Sequence, residues 1–129
     1  MVGRSRDCPD GFGAGRLRKA GEFLDAADIV EQDMSDAAVN LYVLAGIAAS
    51  DAICCSRLGR YAIGENHHEA VALLRQADDT LERHLSTLLG VKSKVAYTHE
   101  SATATERKRA RRSAEALVEA ARRIAGSLG

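Results

Sequence analysis

Lys94 and His99 are two residues whose types and spacing could support chemistry on RNA. A histidine beside a cation can act as a general base toward a ribose 2′-hydroxyl, and a lysine can stabilise charge on a phosphate. Both residues lie at the end of a predicted helix, where a histidine can also simply cap the last turn. The pair therefore predicts either a ribonuclease-type site or an ordinary helix end.

A run of basic residues follows a few positions later. Five of the seven residues from Glu106 to Arg112 are cations: Arg107, Lys108, Arg109, Arg111 and Arg112. Such a cluster attracts phosphates through salt-sensitive contacts. Cations at a helix N-terminus oppose the helix dipole, however, and no aromatic residues are interleaved to stack on bases. The cluster indicates either a solvated face or a surface for an anionic partner.

Two other motifs have ligand-like composition. His67 and His68 are consecutive, whereas zinc ligands on a helix usually lie three or four residues apart, so we predict a capped helix N-terminus with one histidine packing inward. The glycines between Gly11 and Gly15 follow no strand and precede no Gly-Lys-Ser/Thr, which excludes a typical phosphate loop. We therefore predict no metal site and no cofactor.

The cysteines and the N-terminus bear on the cellular compartment. Of the three cysteines, Cys54 and Cys55 are adjacent on an apolar helix, where their side chains point about 100° apart and cannot pair without distortion. We expect reduced, structural cysteines, with a redox switch as the alternative. The N-terminus lacks the apolar core of a signal peptide, and no long uninterrupted apolar stretch predicts a membrane span. The prediction is a cytoplasmic protein.

The elements that must position these residues are helices. The chain is 46% hydrophobic but only 4% aromatic, and its one proline is Pro9, so nothing interrupts long helices after Gly11. We predict a flexible tail over residues 1–15 and one all-α domain over residues 16–129, an up-and-down antiparallel bundle of four to five helices. An amphipathic surface helix begins near Arg16.

The central helix, from about Asp36 to Leu58, is apolar around its whole circumference and must be enclosed by the other helices. Asn40, Ser50 and Asp51 interrupt that surface, so they require buried partners or a lined cavity. Capping-box spacing at Asn66/Glu69, Asp79/Glu82 and Thr103/Glu106 predicts three further helix starts.

The order of these segments resembles the HEPN superfamily. The resemblance covers about residues 16–128 and depends on Ala26-Ala27, on the central stretch Ala48 to Gly59, on His67 to Leu74 and on Lys94 to Tyr97. It implies a four- to five-helix bundle, commonly dimeric, found in toxin–antitoxin and other defence or stress systems. Catalytic HEPN proteins are metal-independent endoribonucleases with an arginine and a histidine late in the domain, often supported by an acidic residue from the second helix.

Onto that pattern, His99 matches the histidine, Asp51 matches the acidic residue, and Lys94 stands in place of the arginine. Lysine lacks the planar, bidentate grip of arginine on phosphate, and Val95 replaces the polar residue that follows it. The resemblance therefore implies a homodimeric, non-catalytic module whose basic C-terminal face binds RNA or a cognate protein. The alternatives are a metal-independent endoribonuclease that uses Lys94, His99 and Asp51, and a purely structural helical homodimer.

Overall fold

The computed structural model describes residues 4–64 and 66–126, which form five helices and one two-stranded sheet. The helices are α1 (Phe12–Val30), α2 (Ser35–Leu58), α3 (His67–Ala77), α4 (Glu82–Tyr97) and α5 (Ala104–Gly126), and the strands are β1 (Ser5–Asp7) and β2 (Arg60–Ala62). The predicted all-α class is confirmed.

Helix α2 is the centre of the bundle, as its apolar circumference predicts. It packs against all four other helices. Its contacts with Asp28 and Arg16 of α1 show that α1 runs antiparallel to it, whereas α5 runs parallel to it. Gly59 ends the helix with φ of +71°, a conformation that favours glycine, and donates its backbone N–H to the Cys55 carbonyl.

One stripe of α2 is left uncovered, which corrects part of the prediction. Asn40 is exposed and does not require a buried partner, and Leu44 beside it on the same stripe is 36% exposed. Ser50 and Asp51 do face the interior of the molecule, as expected. Helix α2 is long and apolar enough to cross a membrane by length and composition, but 67% of its most apolar segment is buried inside the bundle, as in the core helix of many soluble proteins.

A close approach fixes the packing of α2 against α4. Gly46 lies directly against Leu88 of α4, and a Cβ atom added to it would overlap the Leu88 side chain and lie 3.3 Å from Cδ1 of Leu117 in α5. Leu88 and Leu117 are both fully buried. Helices α2, α4 and α5 therefore meet at a position that only glycine fits without displacement.

The N-terminal segment is ordered, and the predicted flexible tail over residues 1–15 is wrong wherever that segment is described; residues 1–3 lie outside the described part. Strand β1 pairs antiparallel with β2, with Arg6 opposite Tyr61. A disulfide joins Cys8 to Cys55, and the Phe12 ring stacks on Tyr61 with centroids 4.1 Å apart. Helix α1 consequently begins at Phe12, four residues before the predicted start.

One of the three predicted capping boxes forms in full, at Thr103/Glu106, and a second forms only in half, at Asn66/Glu69. The Asn66 side chain accepts from the Glu69 N–H at 3.2 Å, and Thr103 and Glu106 cap α5 reciprocally at 3.1 and 2.8 Å. Asp79 does not cap α4. The neighbouring Asp78 accepts from the N–H and hydroxyl of Thr80 instead, because these residues form a turn that delays the helix to Glu82.

Candidate functional site

Lys94 is engaged in an ion pair within the chain. Its Nζ donates to Oε1 of Glu106 at 2.8 Å, and the same oxygen accepts from the Thr103 N–H at 2.8 Å. The hydrogen bond from Lys94, followed by that from Thr103, lowers the pKa of Glu106 to about 2, and the hydrogen bond to Glu106 raises the pKa of Lys94. Lys94 thus ties the end of α4 to the start of α5.

The structure does not bring Asp51 together with Lys94 and His99. Asp36, at the start of α2, is close enough to Lys94 to raise its pKa. Asp51 lies fifteen residues further along the same helix, or about 22 Å at the rise of an α-helix. His99 is exposed in the connection after α4. Within one chain, therefore, the three predicted catalytic residues do not form a single site.

Asp51 has a different partner, Arg16 of α1. Arg16 Nε donates to Asp51 Oδ2 at 2.9 Å, and the two side chains are only 23% and 15% exposed. Desolvation by burial raises the pKa of Asp51 to about 6, although the charge and hydrogen bond of Arg16 act in the opposite direction. The sequence predicts that the carboxylate of Asp51 needs a buried partner. It does not indicate which cation of α1 faces α2.

The predicted basic cluster divides into two groups. Arg107 and Arg111 turn toward α1, where both lie beside Glu31, at 3.6 and 3.5 Å respectively. Lys108, Arg109 and Arg112 are exposed and form no ion pair with the residues the structure describes. We call these three residues the basic face. The structure therefore assigns two of the five predicted binding residues to the internal ion-pair network.

Neither His67 nor His68 belongs to a metal site in the described residues. As predicted, Asn66 caps the helix and one histidine turns inward: His67 is half-buried, whereas His68 is exposed. The Glu69 carboxylate accepts from the Arg4 N–H at 3.1 Å. Across residues 4–64 and 66–126, no group of three or more histidine, cysteine or acidic side chains is placed to hold a metal ion.

The expectation of three reduced cysteines is wrong for two of them. Cys8 and Cys55 form a disulfide, while Cys54 is free and buried. Burial raises the pKa of the Cys54 thiol to about 12, which makes it a poor nucleophile. Adjacent cysteines do point in different directions, as the helix geometry requires: Cys55 faces the N-terminal segment and Cys54 faces the interior.

A cavity of about 120 Å³ opens between α2, the β2–α3 region and α4. Its polar lining includes Ser50, Asp51, His67 and Lys92, and its apolar wall includes Ile47, Leu85 and Leu89. The sequence predicts buried partners or a lined cavity for Ser50 and Asp51, and both residues line this cavity. The other lining residues were not predicted, because they come from separate segments of the chain.

Comparison with known proteins finds no matching family model, no similar characterised protein and no similar solved structure.

Proposed function

We propose that the chain is a non-catalytic, HEPN-like binding module that engages RNA through the basic face formed by Lys108, Arg109 and Arg112. The observation that carries the proposal is that these three cations remain exposed and unpaired among the described residues, although acidic side chains neutralise Arg107 and Arg111 nearby. Their positions along α5 place them within an arc of about 100°. They therefore present positive charge in one direction.

Helix α5 gives this face a rigid support. The helix is fixed by its reciprocal Thr103–Glu106 cap, by the Lys94–Glu106 ion pair and by its buried apolar side. Three phosphate contacts to single-stranded RNA correspond to a slope of about −2 in a plot of log affinity against log salt concentration. Binding of this kind is sequence-tolerant, since it depends on phosphate charge and not on base edges.

The test measures binding of a labelled single-stranded RNA at several salt concentrations in the presence of a chelator. The variant Lys108→Gln/Arg109→Gln/Arg112→Gln should lose most of the affinity and most of the salt dependence. The control Arg6→Gln/Arg18→Gln/Lys19→Gln removes the same charge from exposed positions at the opposite end of the bundle. Equal losses in the two variants, or no binding by the wild type, would overturn the proposal.

Two related measurements on the same proteins separate the alternative functions. Binding of an acidic polypeptide, but not of RNA, through the basic face would assign a protein partner. RNA products ending in a 2′,3′-cyclic phosphate that vanish in His99→Ala would identify a ribonuclease. Cleavage of that kind would require a second copy of the chain to complete the site, because Lys94, His99 and Asp51 are separated within one chain.

A homodimer and a role in a defence or toxin–antitoxin system belong to the same proposal, with the HEPN resemblance as their support. Ile29, Met34, Leu44 and Tyr97 are large apolar side chains left exposed, so the proposed dimer interface is expected to cover some of them. Light scattering coupled to size-exclusion chromatography tests the dimer. A monomer at every concentration would refute the dimer. The proposal that a single copy of the chain binds RNA would then remain.

A further inference from the structure

We propose that the cavity between α2, the β2–α3 region and α4 is a binding site for a small monocarboxylate. The ligand carboxylate would face Lys92 and His67, and its short alkyl group would lie against Ile47, Leu85 and Leu89. The site is separate from the basic face on α5, and nothing in the RNA-binding proposal requires it.

The charges around the cavity favour an anion. Asp51 is the acidic residue in the described lining, and its Oδ2 is already paired with Arg16, which approaches from α1. Lys92 has no ion pair with any described residue, and His67 has no side-chain hydrogen bond with one. Once the Asp51–Arg16 pair is counted as neutral, the described lining therefore keeps one uncompensated charge, the positive charge of Lys92.

The size and the wall of the cavity favour a carboxylate with a short carbon chain. A cavity of about 150 Å³ can hold benzene, so a volume of about 120 Å³ suits a ligand of about four to six non-hydrogen atoms. Leu85 and Leu89, which line the cavity, are only 1% and 4% exposed. An apolar floor with one polar side is the usual arrangement for a small amphiphilic ligand.

Inorganic phosphate matches the cavity less well. Tight phosphate sites present several N–H donors, often from arginine, around all the ligand oxygens. Here Lys92 is the one lysine or arginine of the described lining, and much of the lining is aliphatic: Ile47, Ala62, Ala70, Leu85 and Leu89. Binding of phosphate would leave oxygens against Leu85 and Leu89 without hydrogen bonds, which is costly. Propionate places methyl and methylene groups there instead.

The experiment titrates the full chain with sodium propionate at constant ionic strength and follows melting temperature and backbone amide NMR shifts. Propionate should bind saturably and shift amides of α2, α3 and α4 near Ser50, His67 and Lys92. Propionamide, which has the same shape without the charge, should bind at least about tenfold more weakly, a difference of one charge-assisted contact. Phosphate is the third arm and should cause no saturable shift.

The matched variants are Lys92→Met, which keeps the length of the side chain without its charge, and Lys19→Met, which makes the same change at an exposed site on α1. Propionate affinity should fall about tenfold in the first variant and stay unchanged in the second. Lys92→Arg should retain binding, which controls for damage to the fold. Equal binding of propionamide, saturable binding of phosphate at the same amides, or no effect of Lys92→Met would overturn the proposal.

Discussion

Arg16 Nε donates to Asp51 Oδ2 at 2.9 Å, which joins the second turn of α1 to the C-terminal half of α2. The pair lies where both helices are covered, so the carboxylate loses hydration that the arginine replaces only in part. The Arg16 guanidinium therefore balances the charge of Asp51 from one side, while the Asp51 side chain also lines the cavity.

The raised pKa of Asp51 predicts an unusual pH dependence of stability. Its pKa rises from 3.8 to about 6 on folding, so between these values the folded chain holds a proton that the unfolded chain has released. The contribution is fully present below pH 3.8 and is lost as pH rises through about 6. Relative to Asp51→Asn, wild-type stability should fall by roughly 2 to 3 kcal/mol over this range.

Urea unfolding of both proteins at closely spaced pH values measures this difference. Asp25→Asn changes an exposed carboxyl group of α1 and serves as the control. A constant difference between wild type and Asp51→Asn from pH 4 to pH 7 would show that Asp51 is as well solvated in the folded chain as in the unfolded one.

Substitution of Gly46 tests the close packing of α2 and α4. Gly46→Ala adds a methyl group against the buried Leu88, so we expect a loss of 1 to 3 kcal/mol in the free energy of unfolding, about the cost of overpacking. Gly90→Ala is the matched control, because no neighbour lies within 4 Å of a Cβ at that helical position. It should gain about 0.5 to 1 kcal/mol from helix propensity. Equal effects at the two positions would contradict the packing.

The disulfide predicts a redox-dependent stability. Cys8 and Cys55 are 47 residues apart, and in the loop-entropy description a closure of that length stabilises the fold by about 4 kcal/mol. Cys8→Ser and dithiothreitol should each lower the free energy of unfolding by a similar amount, and their effects should not add. Cys54→Ala removes the free thiol, so its effect should be the same with and without reductant.

The state of the same cysteines in cells tests the predicted cytoplasmic location. Disulfides are rare in the reducing cytosol. Alkylation of intact cells followed by mass spectrometry distinguishes free thiols from the disulfide. Recovery of Cys8 and Cys55 as free thiols would support the cytoplasmic prediction, and recovery of the disulfide would contradict it.

Lys94 is predicted to control the titration of Glu106. Lys94→Met removes the hydrogen bond that contributes most to the low pKa of Glu106, which should rise from about 2 toward its usual value of 4.5. In the wild type the resulting stabilisation is present above pH 4.5 and is lost as pH falls toward 2. Carbon-13 NMR of the Glu106 carboxyl group measures the change. Lys19→Met, at the far end of the bundle, should leave it unmoved.

The helical framework was predictable because its signals are local. The apolar circumference of α2 and the Thr103–Glu106 capping box each depend on residues within a few turns of one another. The N-terminal segment was not predictable in the same way, because β1 and Cys8 are held by residues about fifty positions away. Four glycines at positions 3, 11, 13 and 15, together with few apolar residues, predicted a tail instead.

The candidate site depended on information that a single helix does not contain. Asp51 was singled out correctly as a polar exception on α2, yet whether it faces Arg16 or Lys94 is decided by how α1 and α4 pack around that helix. Arg107 and Arg111 likewise could not be separated from their neighbours by spacing. Their side chains turn toward α1 because Glu31 and Asp28 lie across the α1–α5 contact.

The Cys8–Cys55 bond also determines how the molecule responds to force. All of α1 and most of α2 lie between the two cysteines, so tension applied to the chain ends bypasses them and enters the core at Cys55. The fully stretched disulfide-bonded chain would be shorter than the fully stretched reduced chain by the 47 residues of that loop, about 160 Å. The loop between the two cysteines is mechanically protected, and extension is confined to the chain before Cys8 and after Cys55.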